Sequence, residues 1–249
     1  MIFLSLNRNT GKVVLVSIPR DIWITEIQAK INTAYHYGGI DLAKKTVGDV
    51  LGQRINYVAI LDFDGFEKAV DLLGGIEVDV QRTFDDFWYP IPGKETDLCD
   101  GDKQFKCRYE HLHFEAGQQL MSGGIALKYV RSRNAEGDEG TDFARAARQQ
   151  LFLQGFKQKL SSADVYLHPE KIYGLWKIFM QYSVTDLKMD QYGSLLQLGI
   201  KINWDQLKMA ALNGNLLVTP SKHYSKQWVL VPKAGDWTGI KAYVKEILE

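Results

Sequence analysis

The sequence predicts a chain of the mixed α/β class, and three observations lead to this prediction. Segments typical of strands and of helices alternate over the first hundred residues. A chain of 249 residues with 45% hydrophobic residues is long enough to fill a substantial core. No linker rich in proline, glycine and serine divides it, and it contains no internal repeat. We therefore expect one domain over residues 1–249.

Periodicity and turn residues predict the individual elements. The turn at residues 7–11 joins two β-rich runs into a hairpin. Residues 81–119 show little periodicity and predict a long excursion with one hairpin. Helices dominate from Gln119 to Trp204. The strongest strand candidates are 2–6, 13–18, 57–61, 207–212 and 227–231. The strongest helix candidates are 40–51, 65–73, 142–160 and 238–248.

The overall charge excludes one broad class of function. Thirty basic and thirty acidic residues cancel to a net charge of zero, so the chain lacks the positive charge of a general nucleic-acid binder. Any anion site must therefore be local. No window approaches the roughly 18–20 apolar residues that cross a bilayer, and the N-terminus is unlike a signal peptide. We expect this chain itself to be soluble.

The two cysteines and the five histidines carry different weight. Cys99 and Cys107 lie in a polar, loop-like stretch and would form a short disulfide loop in an oxidising compartment. The histidines are scattered, and none belongs to a recognisable nucleophile motif. We expect most of them to be structural or exposed.

The segment Ser17-Ile18-Pro19-Arg20-Asp21 directly follows the second predicted strand. A carboxylate supplies the hard oxygen ligands that Mg²⁺ prefers, and a guanidinium forks onto phosphate oxygens. Arg20 and Asp21 are therefore candidates for a site where a cation meets a phosphate. A surface ion pair at the end of a strand is the alternative interpretation.

A second candidate lies in the run KINTAYHYGG, from Lys30 to Gly39. Its glycine pair predicts a turn that leads into the helix at residue 40. Backbone amides near such a helix start can hold an anion, and Lys30 adds a positive charge. An ordinary turn with a solvated lysine fits the segment equally well.

The most informative segment contains LMSGGIALKYVRSR, followed by DFARAARQQ. If the chain is extended where the first helix ends, Arg131 and Arg133 project to the same side, as residues i and i+2 of a strand do. Two guanidinium groups would then converge on one anion.

The next predicted helix carries a stripe that changes from polar to aromatic. Its members, Arg145, Gln149, Phe152 and Phe156, are spaced by four, three and four residues. Such a stripe fits an amphipathic ligand whose anionic head lies near the positive end of the helix dipole. An ordinary amphipathic helix is the alternative. Phe63, Phe66 and Val70, also at helical spacing, are more typical of a core than of a lipid site.

Five strings occur in the order, and at roughly the spacing, seen in one protein family: SIPRD, KINTAYHYGG, FDGFEKAVDLLGGIEVDV, LMSGGIALKYVRSR and TDFARAARQQ. In these strings the chain resembles the extracytoplasmic domains of the LytR–CpsA–Psr family. The clearest resemblance spans residues 2–160, and the remainder is similar to the looser C-terminal part of those domains.

The resemblance implies an α/β/α sandwich with a central mixed β-sheet that encloses a hydrophobic tunnel for a polyprenyl tail. The pyrophosphate would lie at the tunnel mouth. Asp21 matches the family's acidic residue near Mg²⁺, the one cofactor implied, and Asp21 and Arg20 are assigned to catalysis. The residues implied to bind pyrophosphate are Lys30, Arg131, Arg133, Arg145, Arg148 and Gln149. The residues implied to line the tunnel are Phe63, Phe66, Val70, Phe152 and Phe156.

The family's reaction moves a glycopolymer from a polyprenyl-pyrophosphate carrier to a peptidoglycan hydroxyl. Mg²⁺ and arginines would neutralise the leaving phosphate, and an aspartate would help to remove the proton from the attacking hydroxyl. A polyprenyl-pyrophosphate hydrolase and a non-catalytic polyprenyl-phosphate-binding protein are the alternatives. Teichoic acid, capsule and arabinogalactan all fit as the polymer.

The family pattern also includes an Arg-x-Asp-Thr sequence before the first strand and an N-terminal membrane helix, and this chain begins after both. We expect an extracytoplasmic protein that reaches the membrane surface through an anchor outside this chain. Its expected partners are the lipid-linked glycan and peptidoglycan, with no nucleic acid.

Overall fold

The computed structural model describes residues 1–200 and 206–249, without the side chains of residues 166, 196, 199 and 200. The end of the predicted helical region, at Trp204, therefore lies outside the described residues. The strands are β1 (Ile2–Leu6), β2 (Val13–Ser17), β3 (Trp23–Ile24), β4 (Ala29–Lys30), β5 (Ala59–Leu61), β6 (Ile76–Val80), β7 (Phe84–Pro90), β8 (Tyr109–Phe114), β9 (Gly117–Met121), β10 (Ser183–Thr185), β11 (Lys208–Ala211), β12 (Leu217–Val218) and β13 (Val231–Pro232).

The α-helices account for most of the remaining regular structure. They are α1 (Ala34–Leu51), α2 (Phe63–Leu72), α3 (Gly123–Arg131), α4 (Asp142–Leu160), α5 (Ala163–Tyr166), α6 (Pro169–Tyr182), α7 (Met189–Ile200) and α8 (Thr238–Leu248). Short 3₁₀ turns occupy Ile31–Thr33, Cys99–Gly101, Lys106–Arg108 and Gly137–Gly140.

The chain divides into two compact units. Unit 1 comprises Met1–Ile60 and Val184–Glu249, and unit 2 comprises Leu61–Ser183. The chain passes from unit 1 to unit 2 within β5 and returns within β10. Each unit has a hydrophobic core of its own. That the whole chain acts as one catalytic domain stays a prediction.

The core of unit 1 is built on a three-stranded mixed sheet with the strand order β1-β2-β11. β1 runs antiparallel to β2, as the predicted hairpin requires, and β11 runs parallel to β2. Because β2 is the central strand, Val14 and Val16 are buried, and they pack in one cluster with residues of α1 and α8. The predicted mixed α/β class is confirmed.

The glycine pair predicted to precede a helix breaks α1. Gly38 and Gly39 have non-helical backbone angles, and φ of Gly39 is +62°, so the regular helix begins at Ile40. A positive φ is costly for residues with a Cβ atom, which explains a glycine here. The helix then continues to Leu51 and ends on Gly52, whose φ of +66° gives a left-handed cap.

Unit 2 contains the helices α2 to α6 and two antiparallel strand pairs, β6 with β9 and β7 with β8, with α4 packed against β6 and α3 against β9. The predicted excursion at 81–119 contains the hairpin β7–β8, and Cys99 and Cys107 form a disulfide in its connecting loop. A capping side chain begins each of two predicted helices. Asp62 accepts from the amide of Gly65 at 2.7 Å, and Thr141 accepts from that of Ala144 at 3.1 Å.

The hairpin β7–β8 contains a bulge. Asp86 pairs with Leu112 and Tyr89 pairs with Glu110, so Phe87 and Trp88 lie opposite the single residue His111. A bulge of this kind breaks the alternation of side chains along the strand.

No helix in residues 1–200 and 206–249 is both long and apolar enough to cross a membrane.

Close packing of α3 against α2 yields a test of the fold. Gly123→Ala should lower the free energy of unfolding by about 1–3 kcal/mol, the usual cost of overpacking. The added Cβ would clash with the carbonyl oxygen of Glu67. Gly124→Ala is the matched control, because its Cβ would meet nothing within 4 Å. Urea denaturation measures both variants, and equal stabilities would contradict this packing.

Candidate functional site

In unit 1, the two predicted candidate segments meet at Asp21, whose side chain is 1% exposed. Lys30 Nζ donates to Asp21 Oδ1 at 2.6 Å, and Arg20 Nε lies 3.9 Å from Oδ2. The antiparallel pair of β3 and β4 places Lys30 opposite Trp23, two residues after Asp21. The result is a buried carboxylate with two cationic neighbours.

Arg20 is oriented by a residue that sequence reasoning missed. With its amide turned to satisfy both partners, Asn32 donates to the Arg20 carbonyl at 2.8 Å and accepts from Nη2 at 3.2 Å. The Arg20 side chain is 42% exposed, although its Nε atom is buried. Nothing in the sequence around Asn32 indicated that its side chain would bind Arg20.

Asp21 offers an incomplete environment for Mg²⁺. The ion usually binds one or two carboxylates together with water and substrate phosphates. In the part of the chain that the structure describes, a single group of three or more His, Cys, Asp and Glu side chains has its ligand atoms within 4.8 Å, namely Asp97, Cys99 and Cys107. The disulfide removes those two thiols as ligands. Asp21 therefore fits Mg²⁺ only as a single ligand that phosphate oxygens would complement.

In unit 2, a fully buried carboxylate organises the segment that follows α3. Asp86 Oδ2 accepts from Ser132 Oγ at 2.7 Å and from the amides of Arg133 at 3.3 Å and Asn134 at 3.2 Å. Asp86 Oδ1 accepts from the amide of Trp88 at 3.0 Å. A buried charge is tolerated when hydrogen bonds of this kind satisfy it. Asp86 thereby fixes the backbone at Arg133.

Arg148 holds the same segment from the other side. Its guanidinium donates to the carbonyls of Tyr129 at 3.2 Å and Ser132 at 2.7 Å, and to Glu139 Oε2 at 2.9 Å. Gln149 Nε2 donates to the Val130 carbonyl at 3.3 Å. These bonds satisfy carbonyls that the C-terminus of a helix leaves without partners. Burial lowers the pKa of Arg148, while Glu139 opposes this shift.

This geometry gives Arg148 a positioning role. Its side chain is only 3% exposed, and the bonds above use the guanidinium on protein acceptors. Direct binding of pyrophosphate by Arg148 stays a prediction, and so does direct binding by Gln149. Helical spacing could not show that Arg148 faces the end of α3 while other basic residues of α4 face elsewhere.

The remaining arginines lie around this fixed segment. Arg131 is the last residue of α3, and its guanidinium lies 4.0 Å from the centroid of the Phe63 ring. Arg145 Nη2 lies 2.5 Å, and Arg133 Nη2 3.9 Å, from Asp142 Oδ1. The structure differs from the predicted extended pair, because Arg131 is still helical and the backbone becomes extended only at Ser132. Arg133 and Arg145 instead share one carboxylate.

Most of the residues expected to line a tunnel lie in the core of unit 2. Val70 and Phe152 are buried there, and Phe66 and Phe156 pack against them. The Phe66 and Phe152 rings are 5.0 Å apart, and the Phe152 and Phe156 rings are 6.1 Å apart. Phe63 differs, since it is 54% exposed beside Arg131. That these side chains bind lipid stays a prediction.

Asp86 is the main residue of this candidate site that the sequence analysis did not identify. The sequence offers two consecutive aspartates, Asp85 and Asp86, of which only the second is buried. The alternation of side chains along β7 could have indicated this burial, because Asp86 lies on the same inward face as Phe84. A carboxylate on the apolar face of a strand needs a specific set of donors.

Comparisons with known proteins give consistent matches. Residues 1–238 match the model of the LytR_cpsA_psr family. The polyisoprenyl-teichoic acid–peptidoglycan teichoic acid transferase TagV of Bacillus subtilis (strain 168) is 30% identical over 178 residues, which is 69% of this chain and 41% of TagV. The transferase TagU of Oceanobacillus iheyensis is 28% identical over 205 residues, 79% of this chain and 55% of TagU. The chain thus spans about half the length of these relatives.

Solved structures show the same fold. The crystal structure of B. subtilis TagV matches with a TM-score of 0.68 at 24% identity, covering 99% of this chain and 87% of TagV. Protein gbs0355 from Streptococcus agalactiae matches with a TM-score of 0.71 at 23% identity, covering 100% and 79%. TagT bound to LI-WTA matches with a TM-score of 0.62 at 20% identity, covering 98% and 82%.

The bonds of Asp86 can be tested through stability. Asp86→Ala would leave Ser132 Oγ and three backbone amides without their acceptor, and should lower the free energy of unfolding by about 3 kcal/mol. Asp85→Ala is the adjacent control, because its partly exposed carboxylate bonds only with the exposed His111 and His113, so its effect should be clearly smaller. Urea denaturation measures both. Similar losses in the two variants would contradict the assigned role of Asp86.

Proposed function

The chain belongs to the LytR–CpsA–Psr family, and on this premise we propose that it transfers a glycopolymer from a polyprenyl-pyrophosphate carrier to a peptidoglycan hydroxyl. The observation that carries the proposal is the fixed segment after α3, where Asp86 and Arg148 hold the backbone that bears Arg131 and Arg133. The names of the matched transferases support the substrate class.

In the proposed reaction, the acceptor hydroxyl attacks the phosphorus that carries the glycan. The bond from that phosphorus to the bridging oxygen breaks, and polyprenyl phosphate leaves. Positive groups held in place before the reaction stabilise the charge that develops on the phosphate oxygens. In unit 2 these groups are Arg131 and Arg133, with Arg145 exchanging its carboxylate partner for the phosphate.

Unit 1, considered by itself, carries a second set of residues with proposed roles. Arg20 and Lys30 bind phosphate oxygens, and Asp21 acts as a metal ligand or as the base for the acceptor hydroxyl. Bound Mg²⁺ would neutralise phosphate oxygens. Because Lys30 Nζ lies 2.6 Å from Asp21 Oδ1, its ammonium group would compete with a cation for that oxygen until it turns to a phosphate.

The lipid tail is proposed to begin at Phe63. Its exposed ring lies directly beside the Arg131 guanidinium, so an anionic head and an apolar chain would find adjacent partners. This arrangement fits an amphipathic ligand of the expected kind. Passage of the tail among Phe66, Val70, Phe152 and Phe156 would require this core to open into a tunnel, as the family resemblance implies.

Non-catalytic binding of a polyprenyl phosphate is the second candidate. The observation that favours it is the ion pair of Asp21 and Lys30, which leaves the carboxylate engaged by an ammonium group. Incubation of the chain with a lipid-linked glycopolymer and peptidoglycan separates the candidates. Glycan attached to peptidoglycan supports the transferase, whereas glycan released without an acceptor indicates a hydrolase. Tight lipid binding without either product indicates a binding protein.

Removal of single guanidinium groups should weaken head-group binding. Arg131→Ala and Arg133→Ala should each cost about 1.5–3 kcal/mol of binding free energy, the scale of hydrogen bonds to charged groups. Calorimetry with a short-chain polyprenyl pyrophosphate measures the loss. Arg82→Ala, an exposed arginine of the same unit, is the control. Unchanged affinity in both site variants would refute the head-group assignment.

The cation assignment predicts opposite effects of two substitutions. Asp21→Asn should remove Mg²⁺ binding measured by calorimetry in the presence of pyrophosphate, because the anionic ligand is lost. Lys30→Met should strengthen Mg²⁺ binding in the absence of pyrophosphate, because the competing ammonium group is gone. Asp49→Asn, an exposed carboxylate of unit 1, is the control. Wild-type Mg²⁺ affinity in Asp21→Asn would exclude Asp21 as the ligand.

A further inference from the structure

The hairpin of unit 2 presents two consecutive aromatic rings on one face. Phe87 is 45% exposed and Trp88 is 43% exposed. Neighbouring residues of a regular strand face opposite sides, but these two form the bulge opposite His111. Phe87 stacks on His111 with ring centroids 4.2 Å apart, and Trp88 packs edge-to-face on Tyr109 at 5.3 Å. Tyr109 and His111 are two residues apart in β8, so both rings lie on the same face.

Polar groups adjoin these rings. Asp85 Oδ1 forms hydrogen bonds with His113 Nδ1 at 2.8 Å and with His111 Nε2 at 2.6 Å. The bonds with His113 and His111 lower the pKa of Asp85 and keep it an anionic acceptor. Asp85, His111 and His113 are all partly exposed. The face therefore combines flat apolar rings with hydrogen-bonding groups at their edge.

A pyranose ring has the complementary chemistry. One face of the sugar presents C–H groups that pack on an aromatic ring, while its rim carries hydroxyl groups that need carboxylate, imidazole or amide partners. Exposed aromatic patches with polar borders mark interaction sites. We propose that the hairpin platform, formed by Asp85, Phe87, Trp88, Tyr109 and His111, binds a pyranose ring of a glycan. This proposal deepens the proposed function and rests on it for the source of the glycan.

The platform is joined rigidly to the arginine segment. Asp86 accepts from the Trp88 amide through one carboxylate oxygen and from the Arg133 and Asn134 amides through the other. Asn134 Nδ2 also donates to the Trp88 carbonyl at 3.0 Å. A sugar on the platform would therefore lie beside the backbone segment that carries Arg133, which is proposed to bind phosphate. This continuity favours a phosphate-linked or acceptor glycan over an unrelated protein partner.

Two sources could supply the sugar, namely the lipid-linked polymer and peptidoglycan. Both contain pyranose rings, so the shared chemistry is recognition of the ring by stacking. Effects on steady-state constants distinguish the sources. Phe87→Ala should raise the KM for peptidoglycan if the platform holds the acceptor, and the KM for the lipid-linked polymer if it holds the donor.

Saturation-transfer NMR with a β-1,4-linked tetramer of N-acetylglucosamine tests the platform without requiring activity. The wild-type chain should transfer saturation to the ring protons, and Phe87→Ala and Trp88→Ala should each weaken binding roughly five- to tenfold. Trp228→Ala, which removes an exposed ring from unit 1, should bind as wild type. A ribitol phosphate oligomer, which lacks pyranose rings, should show no transfer.

Two results would overturn the proposal. One is the absence of saturation transfer from the wild type to the tetramer and to soluble peptidoglycan fragments. The other is unchanged sugar binding in both Phe87→Ala and Trp88→Ala variants that circular dichroism shows to be folded. Arg133→Ala should retain sugar binding while it loses glycan transfer. Sugar binding by a chain without transfer activity would therefore leave the platform standing and refute the proposed function alone.

Discussion

The buried carboxylate of Asp86 is the constraint on which the candidate site in unit 2 depends. A negative charge in the interior must be surrounded by donors, and here the donors are backbone amides and one hydroxyl from two separate stretches of chain. Their positions follow from the carboxylate. Arg148 completes the arrangement by binding the carbonyls that face the opposite way. The backbone at the exposed Arg133 is therefore already ordered by hydrogen bonds within the protein, before any ligand binds.

The candidate cations share a pattern across both units, each considered by itself. Lys30 is paired with Asp21, Arg145 with Asp142, and Arg148 with Glu139. This local pairing agrees with a chain whose net charge is zero. A phosphate ligand would exchange with a carboxylate partner at Lys30 and Arg145. Such an exchange loses less side-chain entropy than ordering a flexible, solvated lysine or arginine, because these side chains are already held in place.

Sequence patterns predicted elements whose signals are local. The hairpin of β1 and β2 and the helices α4 and α8 were predicted because turn residues, caps and periodicity define them within a few residues. The strand predicted at 227–231 is wrong over most of its length. Lys226 has a φ of +56°, and regular pairing begins only at Val231. Long-range contacts escaped prediction, since no local pattern shows that Arg148 binds the end of α3 or that Asp86 joins the hairpin to Arg133.

The order of the two units along the chain bears on how the protein is made. Unit 2 is one continuous stretch, Leu61–Ser183, whereas unit 1 is assembled from both ends of the described chain. Its central strand β2 pairs with β11, whose residues are synthesised almost two hundred positions later. Such distant pairing slows folding and leaves a strand edge uncovered until the partner arrives. The contacts that support the arginine segment all lie within unit 2 and can form without β11, whereas one edge of β2 stays open until β11 pairs with it.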